Sequence, residues 1–172
     1  MVLWGLAAGY LTANYLLLEE APTIWRSMNR AAGGEGGAVI VGAYVVLAVV
    51  GVFAWWRFGV RSRLTILGTL ALAGAFALMF WVEQRPGEKF HMLQYGAFGA
   101  LLFAALRVDL DPRGIALYAV GVPIGVAAGL TDELIQDALP NRVFTVHDVF
   151  VNGGSVALVL ALGRLHLPGR AE

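Results

Sequence analysis

The 172-residue chain contains no cysteine. That absence removes disulfides, thiolate metal ligands and cysteine nucleophiles together, and it does not identify a redox compartment. Charge is the second shortage. Only 14% of the residues are charged, against about a quarter in an ordinary soluble domain. Twelve basic and twelve acidic residues cancel. No Lys/Arg run stands out, so neither nucleic acid nor an anionic surface finds an electrostatic footprint here. Partners are therefore expected within the bilayer, membrane lipids first and nucleic acid not at all. No repeat of fixed period occurs either. Residues 1–18 lack a basic leading region, and no small-residue cleavage pattern follows them, so this segment is expected to be retained and not removed as a signal peptide.

What fills the sequence is apolar: 59% of it is hydrophobic, with a mean hydropathy of +0.72. Crossing a bilayer takes about 20 mostly apolar residues, and the segment must satisfy its own backbone donors and acceptors because no water reaches them. Stretches 38–56, 64–82, 90–106, 114–130 and 149–167 meet that demand. A sixth candidate, 1–18, is interrupted by Thr12 and Asn14 and closed by Glu19 and Glu20. The expected fold class is all-α, a polytopic transmembrane helical bundle of five or six spans. An N-terminal membrane region over 1–63 comprises span 1–18, a loop over 19–37, span 38–56 and a basic loop over 57–63. A four-helix core over 64–167 and a tail over 168–172 complete the chain. Pro22 and the run Gly33-Gly34-Glu35-Gly36-Gly37 mark the first loop, and Trp25 suits a short interfacial helix within it.

Cytoplasmic loops favour Lys and Arg, and the tightest basic cluster is Arg57, Arg61 and Arg63. Alternation puts Arg107, Arg113, Arg164 and Arg170 on that same side. Arg26, Arg30, Arg85, Lys89 and Arg142 fall on the other, seven against five. Whichever side is which, segments 83–89 and 131–148 and the N-terminal loop share one face. Three polar clusters thus converge on one leaflet, expected to be the extracytoplasmic side of the plasma membrane.

The first cluster follows Pro86 and Gly87: Glu88, Lys89, His91, Gln94 and Tyr95. Glu88, His91 and Tyr95 share one helical face that continues to Gly99, and they are expected to point into the bundle. A helix start explains Glu88 and Lys89 without function, through the dipole and snorkelling. It does not explain an inward imidazole. The second cluster ends the next span, where Gly121, Gly125 and Gly129 form a small-residue stripe running into Asp132, Glu133 and Gln136. Carboxylates at a helix C-terminus face the negative end of the dipole. Asp132, Glu133 and Asp137 are therefore expected to need Lys89, Arg142 or a protonated His91, either for function or as a structural ion pair. Pro123 is expected to kink this span. The third cluster is Pro140, Asn141, Arg142, Thr145, His147, Asp148 and Asn152, leading to Ser155. Thr145 with Asp148 fits a capping box. That leaves the inward stripe Asp148, Asn152, Ser155 to be explained, and His147 reads as interfacial.

Taken in order, Glu88-Lys89-Phe90-His91 with Tyr95-Gly96, Asp132-Glu133-Leu134-Ile135-Gln136, Leu139-Pro140-Asn141-Arg142 and Asp148 with Asn152-Gly153 resemble the VanZ-like family of membrane proteins. The resemblance covers about 64–167 and leaves the first two candidate spans outside. Departures are the shorter spacing from Lys89 to His91 and Asn141 where the family has Gly. The family is named for a protein associated with low-level teicoplanin resistance, which implies a role at the outer cell envelope. It supplies no reaction.

Three readings follow. In the first, a membrane enzyme acts on a lipid or lipid-linked envelope precursor. Its catalytic candidates are His91, Asp132, Glu133 and Asp148, and Glu88, Lys89, Tyr95, Gln136, Arg142 and Asn152 bind an anionic head group. No nucleophile motif and no HExxH-type metal spacing appears, so no metal or cofactor is assigned, although a His with several carboxylates could bind a divalent cation. In the second, the same groups bind a lipid or glycopeptide without catalysis, or relay protons in a translocator. No inverted repeat is visible, so a carrier this short would work as a homo-oligomer. In the third, the polar network only clamps helices together, at about 0.6 kcal/mol per hydrogen bond.

Overall fold

Where water is scarce, an apolar run has to bond its backbone to itself, and the helix is the single-segment way of doing so. The computed structural model describes residues 1–20, 23–24, 26–27, 30, 63–82, 86–111, 114–140 and 143–167, with backbone alone at 63 and 86–88. Among these residues there are five helices and no strand: α1 Val2–Leu16, α2 Arg63–Val82, α3 Pro86–Asp109, α4 Ala116–Asp137 and α5 Val146–Leu165. Three of them are long and apolar enough to cross a membrane: Leu64–Val82, Ala116–Asp137 and Val146–Leu165. At 24 residues, α3 reaches about 36 Å, but Lys89, His91, Arg107 and Asp109 make its ends polar. Helix α1 has 15 residues, about 22 Å, and is shorter than a hydrocarbon core of about 30 Å. The expected span over 38–56, the side chains of Arg57, Arg61 and Arg63, and tail 168–172 lie outside the described residues.

Helices α3, α4 and α5 overrun the apolar limits set by the sequence, and α3, Pro86–Asp109, passes 90–106 at both ends. Helix α4 continues past Leu130 to Asp137, and α5 starts at Val146, ahead of Val149. Polar side chains do not end a helix; Gly and Pro do, and none occurs after Gly129 until Pro140. Asp132, Glu133, Gln136 and Asp148 consequently sit inside helices, on faces fixed by helical periodicity. Pro123 stands on the exposed side of α4, and the helix runs on through it.

Helices α3, α4 and α5 form the centre of the bundle, with α1 laid mainly against α3 and α2 against α5. Glycine sets how closely they approach. A Cβ on Gly125 would fall 2.8 Å from Val156 Cβ, one on Gly121 would fall 2.6 Å from Leu160 Cδ1, and one on Gly129 would fall 2.9 Å from Asn152 Cβ. On α3, a Cβ at Gly99 would lie 3.1 Å from the Val156 Cα. Val156 therefore fills the axis between α3 and α4, and the core is layered along α5. Leu160 packs with Leu106 and Gly121, then Val156 with Gly99 and Gly125, then Asn152 with Gly129. One further turn brings Asp148 to the start of α5, near the end of α4. The layers pass from apolar to polar toward a single end of the bundle.

The outside has the opposite character. Helix α2 exposes Leu64 and Trp81 at 78% and 74%, together with Leu67, Leu70 and Leu78. A belt of this kind opposes solvation by water and matches a hydrocarbon surround. Its hold on α5 comes from Gly68 against Leu165 and from the Thr69 hydroxyl, 2.9 Å from His166 Nε2.

Because Gly125 has no room for a side chain, Gly125→Leu is expected to lower unfolding stability in detergent by about 1–3 kcal/mol or more. Gly74→Ala, at a position with nothing within 4 Å among the described residues, is expected to stay within about 1 kcal/mol of wild type. Thermal unfolding of both variants checks the pair, and equal losses would contradict the packing.

Candidate functional site

At the polar end, the start of α3, the end of α4 and the start of α5 meet. His91 is 8% exposed and Asp132 3%, with His91 Nδ1 3.3 Å from Asp132 Oδ2. This is ion-pair distance without the alignment of a hydrogen bond. One turn along α3, Tyr95 lies parallel to the imidazole, ring centroids 6.5 Å apart and planes 9° from parallel, and Phe98 meets Tyr95 edge-on. The Tyr95 hydroxyl donates to the Ala128 carbonyl at 3.1 Å. Tyr15 of α1 donates to the same carbonyl at 2.7 Å. Two hydroxyls from different helices thereby fix the turn of α4 that carries Asp132.

Glu133 is 1% exposed. Its Oε2 accepts the Thr145 backbone N–H at 2.8 Å, and Gln136 Nε2 approaches its Oε1 at a long 3.4 Å. This corrects the expected capping box. Thr145 does occupy the N-cap of α5, but its side chain makes no cap bond. The carboxylate receiving the Thr145 N–H belongs to Glu133, twelve residues earlier, and not to Asp148, because the close approach of α4 delivers an acceptor that the loop does not need to supply. The Phe144 N–H likewise goes to Asp137 Oδ1 at 3.2 Å. Both acids accept backbone N–H groups, and His91, one of the expected cations, acts electrostatically on Glu133; Arg142, another, lies outside the described residues.

Asp148 is buried in the first turn of α5. Asp148, Asp132 and His91 all act electrostatically on Glu133. Ser155, deeper along the same stripe, satisfies itself by donating to the Val151 carbonyl at 2.8 Å. Asn152, between them, is fully buried, and neither its Oδ1 nor its Nδ2 has a partner among the described residues.

His91, Tyr95, Asp132, Glu133, Gln136, Asp148 and Asn152 are thus buried at one end of the three-helix core. Lys89 turns aside: its ammonium lies 4.5 Å from the centre of the Phe80 ring on α2. The side chains of Glu88 and Arg142 lie outside the described residues. His147 is exposed. Among the described residues, no group of three His, Asp or Glu is arranged to hold a metal ion. Sequence reasoning passed over Asn14 and Tyr15. Gln94 Nε2 donates to Asn14 Oδ1 at 3.1 Å, and Tyr10 donates to the Gln94 carbonyl at 3.1 Å. A polar amide inside an apolar stretch was the signal for this α1 contribution. Comparison with protein families, with curated proteins and with solved structures finds no match to the chain.

A buried carboxamide with no partner opposes folding, so Asn152→Leu is expected to leave unfolding stability within about 1 kcal/mol of wild type or to raise it. Glu133→Met orphans the Thr145 N–H and is expected to lower stability by about 1–3 kcal/mol. Unfolding of both variants in detergent checks this contrast; a large loss in Asn152→Leu would mean that the amide is already bonded.

Proposed function

We propose that this is a VanZ-like protein of the cytoplasmic membrane with five or six spans. In this reading it acts on an anionic lipid or lipid-linked envelope precursor at the extracytoplasmic leaflet, with a bearing on glycopeptide resistance. The observation that carries the reading is the buried His91–Asp132 pair, 3.3 Å apart, among the buried polar side chains at one end of the bundle. Ionisable groups placed away from water are costly and are ordinarily retained for a task.

A carboxylate beside one imidazole nitrogen orients the ring and leaves the other nitrogen to take a proton from, or return one to, a bound group. Parallel contact with Tyr95 restrains the ring. Glu133 and Asp148 extend the acidic field around the pair, and Gln136 and Asn152 supply amides. In this reading Arg142 and Lys89 meet the anionic part of the substrate at the membrane surface.

A noncatalytic binder of lipid or glycopeptide, or a proton-coupled translocator, is the second reading. It is favoured by the electrostatic linkage of Asp132, Glu133, Asp148 and His91 across three helices, an arrangement suited to passing a proton.

Matched cells expressing wild type, Asp132→Asn or His91→Ala at equal membrane levels separate the two by untargeted mass spectrometry of envelope lipids. The enzyme reading expects a lipid species that changes with wild type alone, with its formation reduced about 10²- to 10⁴-fold in either variant. Identical profiles in all three cultures would remove the enzyme and leave the binder or translocator.

A further inference from the structure

Helix α1 lies along α3 and touches α4 only lightly, so a cleft remains at the seam. Its polar lining is Asn14, Gln94, Tyr95 and Asp132, and its apolar lining is Leu11, Leu18 and Phe98. This opening brings Asp132, otherwise almost wholly buried, toward the outside of the bundle. Its free volume is about 10 Å³, close to the roughly 10–15 Å³ that a single water molecule needs, so it has room for one small polar group. Such a space admits the tip of a head group while the rest of an amphiphile stays outside.

The lining selects the chemistry of that tip. Asp132 is an acceptor. The bond from Gln94 Nε2 to Asn14 Oδ1 leaves the Gln94 side-chain oxygen Oε1 as a second acceptor. Among the described residues no cationic side chain lines the cleft, so a phosphate inside it would face Asp132 with like charge. A quaternary ammonium fits poorly as well: it brings no donor, and it is far larger than the free space.

Resting on the membrane-lipid reading above, we propose that the α1–α3 seam is a lateral binding site for an amphiphile whose head group ends in hydrogen-bond donors, a hydroxyl or a primary ammonium. The donor end reaches Asp132 and Gln94, any phosphate stays at the mouth, and the acyl chain lies outside, along the half-buried Leu11. The terminal group then stands beside the carboxylate that His91 contacts, where a proton-transfer pair can use it.

Native mass spectrometry of the full chain tests this with four dioleoyl lipids that separate donors from charge. Phosphatidylglycerol and phosphatidylmethanol are both anionic, and only the first ends in hydroxyls. Phosphatidylethanolamine and phosphatidylcholine are both zwitterionic, and only the first ends in a donor. Within each pair the donor lipid is expected to be retained about 2- to 10-fold more, the range that one net hydrogen bond supplies. Asn14→Leu and Gln94→Leu should each bring both ratios toward one while total lipid retention stays high. Should one variant fail to fold, the wild-type ratios and the other variant still decide.

Ratios near one in wild type, or ratios unchanged in the folded variants, overturn the inference. If only phosphatidylglycerol is favoured the donor is a hydroxyl, and if only phosphatidylethanolamine it is an ammonium; either supports the site. Because binding is read here and not turnover, donor selection alongside unchanged cellular lipids would keep the site and remove the enzyme. Altered cellular lipids alongside ratios near one would do the reverse.

Discussion

Helices α4 and α5 can approach closely because Gly121, Gly125 and Gly129 present no side chains to Leu160, Val156 and Asn152. In a bilayer, lipid tails compete on equal terms with apolar side chains, so contact has to come from packing and not from expulsion of water. The glycine stripe supplies that contact and also fixes the rotation of both helices. Once Val156 is seated between Gly99 and Gly125, the residues one and two turns toward the polar end have no freedom of facing. Asn152 and Asp148 on α5, and Asp132 and Glu133 on α4, are turned inward by the same register that seats the valine.

The polar end is stable because most of its groups are answered locally. Glu133 and Asp137 accept backbone N–H groups from the segment leading into α5, so the acids tie down the α4–α5 connection as well as carrying charge. Tyr15 and Tyr95 bond one carbonyl of α4 from two sides. Among the described residues, the exceptions are Asn152, buried with its amide unmet, and the Thr145 hydroxyl. Groups left in that condition oppose stability, and proteins keep them chiefly where a ligand or a proton is to be handled. A network that served only to clamp helices would be expected to close its bonds, as Ser155 does with its own helix.

Much of this arrangement is legible in the residues themselves. Helical spacing puts His91 and Tyr95 on one face, and the Gly121-Gly125-Gly129 stripe points toward Asp132 and Glu133. What the sequence conceals is the identity of partners across helices. Thr145 and Asp148 satisfy the pattern of a capping box, but a pattern cannot register that Glu133 arrives first. Lys89 reads as a head-group ligand by charge and position, yet the Phe80 ring on α2 is within reach of its ammonium. Asn14 reads as an interruption of a span, and its meaning emerges only when α1 lies against α3 and meets Gln94. Helix limits are blurred for the same reason: hydropathy marks where a chain prefers lipid, and backbone hydrogen bonding carries α4 a further turn or more into polar residues.

The central claim is that His91 and Asp132 act on one another inside the bundle. A double-mutant cycle tests it most directly: unfolding of His91→Gln, Asp132→Asn and the double variant, measured in the same detergent. Coupling between the two positions of about 1 kcal/mol or more is the expected result for residues in direct contact. Additivity within about 0.3–0.5 kcal/mol, the behaviour of independent sites, would contradict the account.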